Sequence, residues 1–279
     1  MKCYLSKIGL AGVIVVLIIL ATSCVPEKKL ARSFVSESRK RNALLLSTDI
    51  VFKKSLKKSL LDSLEITDEA LFDSVLMANS DLLQYVDDSL FIQNFLAGYE
   101  KELRLFNFNI YRESQTASFL EVDTNAYVIY LAQLELEESY FPFRDETLYL
   151  DNYYYHDHLL NSATVYSWFE INEVDKEEPK QVYFAEDAIA DEVDGDFAVD
   201  YFGGEIKYFY RIDSLQPGDM YNYAFTLGRK YAGYTFDLLM NKYIAENMEG
   251  KPRYYLRYDP FYKNFFEATD DRFILLDTE

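Results

Sequence analysis

The hydrophobic pattern of this chain changes period several times, and the changes divide it into elements. Ala43 to Phe52 (ALLLSTDIVF) is a short apolar run of strand length and predicts a first buried strand. Residues 53–79 scatter Leu56, Leu60, Leu64, Leu71, Phe72, Val75 and Leu76 among charges, which suits a short helix and a loop. Asp87-Asp88-Ser89 then supplies capping residues ahead of LFIQNFLAGYEKELRLF. There Phe91, Phe95, Tyr99 (or Gly98), Glu102 or Leu103, and Phe106 recur at helical spacing. From Phe108 to Tyr111 the period drops to two, a second strand. Asn125 to Glu138 begins apolar on both faces and then alternates, with Leu134 and Leu136 opposite Gln133, Glu135 and Glu137: a long strand, central first and solvent-facing later.

The same reading continues to the end of the chain. Thr164–Ile171 and Gln181–Glu186 flank the acidic VDKEEPK as an antiparallel hairpin, and Phe197–Tyr201 and Glu205–Ile212 flank Gly203-Gly204 as another. Residues 219–247 predict the longest helix, with Tyr221, Phe225, Gly228, Ala232, Phe236, Leu239 and Tyr243 at three- and four-residue steps and Gly250 and Pro252 beyond its end. Tyr254–Tyr258 and Phe273–Leu276 are two closing strands. These elements predict an α+β fold: one domain over 43–279, a mixed and largely antiparallel sheet, and two main helices packed on it.

The first residues follow a different rule. Lys2 and Lys7 precede an apolar run from Ile8 to Leu20, and Ala21-Thr22-Ser23 lead into Cys24. A charged start, a short apolar middle and a small-residue exit make a secretory signal, and the run falls short of the roughly 20 apolar residues of a spanning helix. Leu20-Ala21-Thr22-Ser23-Cys24 resembles the lipobox of bacterial lipoproteins. That resemblance implies removal of 1–23 and lipidation of Cys24. Val25 to Asn42, charged and sparsely apolar (Leu30, Phe34, Val35), reads as a basic tether with a partly helical course, so that 24–42 is lipidated Cys and tether. Val25, in place of an Asp after the cysteine, implies the outer membrane. The run Val25-Pro26-Glu27-Lys28-Lys29, without an acidic block, implies its periplasmic face.

Charge sharpens this picture. Residues 25–60 hold ten Lys/Arg against Glu27, Glu37 and Asp49, whereas the whole chain has a net charge of −19. A basic collar beside a lipid anchor suits anionic headgroups, and the acidic body is repelled by them and by nucleic acid; a solvated linker followed by an ordinary amphipathic segment is the equal alternative. Cys3 leaves with the signal and Cys24 carries lipid, so the folded domain has no thiol; disulfides, zinc–cysteine sites and thiol catalysis are excluded.

Few constellations carry chemistry. His156 and His158, the only histidines, share a face if they lie on a strand and with Asp151 are weak metal candidates; exposed loop histidines are the plainer reading. Glu186 to Asp200 (EDAIADEVDGDFAVD) places carboxylates around Gly195 but does not fit the EF-hand spacing, and reads as a solvated acidic loop, with weak non-EF calcium binding as the alternative. No GxSxG, GxxxxGK[ST] or GxGxxG occurs, and no cofactor is implied. The aromatic load is high, with 25 Tyr and 21 Phe. Most of it suits strands and core, but Tyr153, Tyr154, Tyr155 and Trp168 are candidates for a binding surface.

The order strand, helix, strand, long strand, hairpin, later helix resembles the TolB amino-terminal-like fold of several outer-membrane lipoproteins, through ALLLSTDIVF, LFIQNFLAGYEKELRLF, FNIY, NAYVIYLAQLELEE and TVYSWFEI…QVYFAE. That resemblance implies docking and assembly roles. The expectation is therefore a non-enzymatic, membrane-anchored interaction factor with an envelope protein as partner. A module binding peptidoglycan or polysaccharide is the alternative, with the tyrosines and Trp168 lining a groove; a hydrolase, with carboxylates or the histidine pair converging in a cleft, comes third.

Overall fold

The computed structural model describes residues 26–37, 40–122, 125–149, 151–174, 176, 180–200, 203–268 and 272–276; the expected signal and the lipidation at Cys24 lie outside them. In chain order the elements are α1 (Pro26–Ser36), β1 (Arg41–Ser47), β2 (Phe52–Ser55), α2 (Ser59–Ser63), α3 (Phe72–Ala78), α4 (Asp88–Leu105), β3 (Phe108–Arg112) and α5 (Thr116–Phe119). They continue with β4 (Ala126–Tyr149), β5 (Asn152–Glu173), β6 (Gln181–Ala190), β7 (Glu192–Val199), β8 (Ile206–Asp213), α6 (Pro217–Asn247), β9 (Leu256–Asp259), β10 (Asn264–Glu267) and β11 (Ile274–Leu276).

A seven-stranded sheet runs β11-β6-β5-β4-β1-β3, with β2 beside β4. β1 is parallel to β3 and β4, while β4, β5, β6 and β11 are antiparallel. The fold is α+β with a mixed, mostly antiparallel sheet, and α4 and α6 cover one face of it. Asp87 caps α4 as its sequence suggests, accepting from the Leu90 amide at 2.8 Å. Phe95, Tyr99, Phe169 and Tyr231 stack between helices and sheet, and the hydroxyls of Tyr99 and Tyr183 both meet Thr235 Oγ1, at 2.5 and 2.8 Å. Much of the aromatic load is therefore core, with its polar tips bonded to one another.

The described part of the segment expected as a tether, residues 26–37 and 40–42, packs on the domain. Glu27, Ala31 and Phe34, one stripe of α1, are buried, and Phe34 meets the rings of Phe236 and Tyr243 at 5.6 and 5.4 Å. Arg41, 2% exposed, donates from Nη2 to the Phe34 carbonyl and holds its guanidinium 3.9 Å over the Phe34 ring. A short helix with so few apolar residues reads as solvated until those partners, distant in sequence, are in place. ALLLSTDIVF is likewise two strands rather than one: Thr48 Oγ1 accepts from the Ile50 amide at 3.2 Å, and this side-chain turn breaks the run between β1 and β2.

The largest departure lies in β4 and β5. β4 continues past Glu138 to Tyr149 and pairs along its length with β5. Asp151, at φ 62°, helps turn the chain, and Tyr149 pairs with Asn152. Asn152 to Leu160 (NYYYHDHLL) is thus strand and not loop. Glu186–Asp200 is not a loop either: it forms the end of β6, a bend at Asp191 and then β7.

The two ends of the molecule are distinct. The carboxyl end of α6 lies at the root of the β4–β5 hairpin, where Lys176 reaches Glu246 (2.8 Å) and Lys242 approaches Glu173 (3.7 Å). Its amino end lies farther along, where the Asp191 carboxylate accepts from the amides of Asn161 (2.8 Å) and Leu215 (2.9 Å). α1 packs on the carboxyl half of α6, and Glu27 accepts from the Arg253 amide at 2.9 Å just past that helix. The start of α1 and the tip of the hairpin therefore sit at opposite ends.

Candidate functional site

Beyond the last pairing of β6 with β5, at Ser162–Ala190, the β4–β5 hairpin continues alone for ten residue pairs, Tyr140↔Asn161 to Tyr149↔Asn152. The burial of β5 shows what happens there. From Ala163 to Ile171 the odd residues are buried, under the helices; at His158, Leu160 and Ser162 the even ones are. Neighbouring strand residues face opposite sides, so the cover changes side as the hairpin leaves the sheet.

The new cover is the β7–β8 ribbon, and its contacts are aromatic. The His156 ring lies 4.6 Å from that of Tyr208, and the His158 ring 4.8 Å from that of Tyr210. Phe197 packs on Tyr208 at 4.6 Å. A polar chain runs through the stack: the Tyr208 hydroxyl donates to Asp145 Oδ2 at 2.8 Å, and His158 Nε2 lies 2.9 Å from the same hydroxyl. Since a carboxylate only accepts, the Tyr208 proton goes to Asp145 and His158 donates from Nε2. Burial, then the hydrogen bond to Asp145, pushes the Tyr208 hydroxyl up to about 12. Burial first, then the neighbouring His156, holds the His158 imidazole below its ordinary value, so it stacks in the neutral form at neutral pH.

Gly195 makes room for this chain. A Cβ there would lie 2.0 Å from the Tyr208 hydroxyl oxygen and 2.7 Å from Asp145 Oδ2. The glycine that superficially suggested a calcium loop is the place where a tyrosine crosses between ribbons. Asp191 spends its carboxylate on two backbone amides, and Asp194 and Asp196 alternate outward on β7 into solvent. The expected loop histidines are strand residues in a ring stack. Among the described residues no group of three His, Cys, Asp or Glu is arranged to hold a metal ion.

The opposite face of the hairpin is open. Leu148, Tyr153, Tyr155 and Leu159 lie on it, exposed by 71, 55, 54 and 63%. Arg144 spans the strands there, pairing with Asp157 in a two-pronged contact (2.6 and 2.9 Å) while its guanidinium lies 4.4 Å over Tyr155. Tyr153 donates to Glu146. These contacts order the side chains on the open face without covering them.

The four sequence candidates do not form one site. Tyr153 and Tyr155 share the open face, and Tyr154 points to the other side. Trp168 lies thirteen residues from Tyr155 along the same strand, about 43 Å at roughly 3.3 Å per residue. It belongs to a separate half-exposed cluster with Phe184 (4.8 Å) and Tyr166 (6.4 Å) on the sheet face away from the helices. The groove expected between the tyrosines and Trp168 is absent among the described residues. Missed in the sequence were Tyr208, Tyr210, Asp145 and Arg144; the signal that was there is the alternation of YRI and YFY in β8, matched in period to HDH in β5.

A cavity of about 730 Å³ lies between α4, α6 and β9. Glu102 and Asp237 both line it, but each already holds an arginine, Arg229 at 2.8 Å and Arg272 at 3.0 Å. Among the described residues no helix is long and apolar enough to cross a membrane. No protein-family model matches the chain, and no curated protein matches it in sequence.

Proposed function

We propose that this protein is a membrane-anchored, non-enzymatic interaction factor of the cell envelope that meets a protein partner through the open face of the β4–β5 arm. The observation that carries the reading is the arm itself: ten residue pairs beyond the sheet, stiffened on one face by a stacked ribbon and bearing exposed Leu148, Tyr153, Tyr155 and Leu159 on the other. Tyrosines already ordered by neighbours bring contact area at small entropic cost, and an apolar face of this kind in a −19 chain supports reading it as an interaction site. The edges of the two-stranded arm also offer backbone groups for strand addition. The lipobox-like Leu20–Cys24 supplies the anchor in this proposal, and the outer membrane, facing the periplasm, is the proposed location.

The test is photo-crosslinking in cells from positions Tyr153 and Leu159, with a Cys24→Ala form as the unanchored control. One discrete envelope protein captured from both positions, and from the anchored form alone, is the expected result. Capture from neither position, or equal capture from Trp168, overturns it. The glycan reading keeps one supporting observation, the Tyr166–Trp168–Phe184 platform, flanked by Glu137 and Glu186. Recovery of cell-wall fragments that is lost on Trp168→Ala would favour that reading instead.

A further inference from the structure

Resting on the proposed lipidation of Cys24, the structure assigns a seat on an anionic lipid surface to one end of the domain, formed by Lys28, Lys29 and Arg32 of α1 with Lys251 and Arg253 of the following loop, with the arm directed away from it. Four observations meet here. Only Val25 separates Cys24 from Pro26, the first residue of α1, so the lipidated residue lies within about 7 Å of the folded domain whatever path the chain takes. α1 is locked to the core through Phe34 and Arg41, so it supplies no slack. Its buried stripe is Glu27, Ala31 and Phe34, which leaves Lys29 and Arg32 exposed and Lys28 half-buried on the other faces.

The fourth observation is that Glu27 turns inward. Its carboxylate accepts from the Arg253 amide, which joins the loop holding exposed Lys251 and Arg253 to the start of α1 and removes the one acid of the helix from its surface. The loop also carries exposed Glu249, one acid against five cations. Residues 61–279 hold 28 more acids than bases, so a cationic patch at the anchored end is a local reversal of sign. Anionic headgroups attract that patch and repel the rest, and the attraction acts only within about a Debye length, the distance that the short link enforces. The hairpin tip is at the far end of the 24-residue β4, about 75 Å of strand contour from its first residue at roughly 3.3 Å per residue. The arm therefore faces away from the bilayer that holds the anchor.

The experiment uses the lipidated full chain on phosphatidylcholine vesicles with and without phosphatidylglycerol. Single cysteines introduced as Lys29→Cys, Arg253→Cys or Tyr153→Cys carry a fluorophore, and the vesicles carry a headgroup quencher. The expected result is quenching at positions 29 and 253, stronger with phosphatidylglycerol, and none at 153. Lys28→Gln with Lys29→Gln should weaken the phosphatidylglycerol-dependent part about fivefold per cation and leave neutral vesicles unchanged. Vesicle binding with equal quenching at all three positions, or without dependence on phosphatidylglycerol, overturns the seat and leaves the anchor standing. Flotation that is no better than that of Cys24→Ala overturns both.

Discussion

The Tyr208 hydroxyl of β8 stands 2.8 Å from Asp145 Oδ2 of β4, although the two residues are 63 positions apart, and it closes the β7–β8 ribbon onto the arm. Tyr208→Phe keeps the ring stack and removes the bridge. It leaves Asp145 and the Nε2 proton of His158 without that partner, so a loss of about 1–3 kcal/mol is expected, confined to the arm. Hydrogen exchange checks it: amides of residues 193–197 and 206–212 should exchange faster while those of α4 and α6 are unchanged. Unchanged exchange in the ribbon would mean that ring stacking alone holds it.

Gly98 and Gly228 set the contact of α4 with α6. A Cβ at Gly98 would lie 2.0 Å from the Phe225 carbonyl oxygen, and one at Gly228 would lie 2.0 Å from that of Phe95. Both obstacles are backbone and cannot rotate away. Gly98→Ala and Gly228→Ala should each cost about 3 kcal/mol, against the gain that alanine gives in an open helix. Urea denaturation measures it, with Gly233→Ala, which meets nothing within 4 Å, as the control.

Glu138, fully buried where β4 begins to leave the sheet, is held by Lys57 Nζ at 2.6 Å and by the Ser80 hydroxyl. Lys57→Met strands a buried carboxylate and should cost about 3–5 kcal/mol. Adding Glu138→Leu should recover part of that loss but not all of it, because the Ser80 hydroxyl and the Asp81 amide still lose their acceptor, whereas the Leu83 amide keeps Ser80 Oγ at 2.7 Å. Additive losses in the double variant would show that the pair is not coupled.

Asp237 is expected to make stability fall as pH rises. Burial raises its carboxyl to about 7, against the Tyr258 amide and Arg272, which lower it. Between the unfolded value of about 4 and the folded value of about 7, the native state holds a proton that the unfolded state has released, so unfolding free energy declines as pH rises through that window and levels off above it. Up to about 4 kcal/mol is at stake at about 1.4 kcal/mol per pH unit. Asp237→Asn should flatten the profile between pH 4 and 7; a slope that persists in the variant would assign it to other groups.

Local pattern carried far in this chain where one face of an element is buried along its whole length. α4 and α6, the strand at Phe108, the β5–β6 hairpin and the turn at Gly204 (φ 69°) all stand close to where periodicity and capping residues put them. The site was less legible. Tyr153 and Tyr155 were picked out by composition, but their shared face, the opposite orientation of Tyr154 and the remoteness of Trp168 depend on strand parity in a stretch that reads as a loop.

What the sequence by itself determined is the class of fold, the two main helices, the thiol-free body and the reversal of charge between residues 25–60 and residues 61–279, because these depend on residue type and short-range spacing. The tertiary structure alone decided that α1 is part of the core, that β4 and β5 run on into an arm, and that acids around Gly195 form a strand. Each of those depends on partners far along the chain: Phe236 for Phe34, Tyr208 for Asp145, Leu215 for Asp191. A two-residue period says that one face of a strand is covered, and only the assembled molecule says by what, and on which side the cover changes.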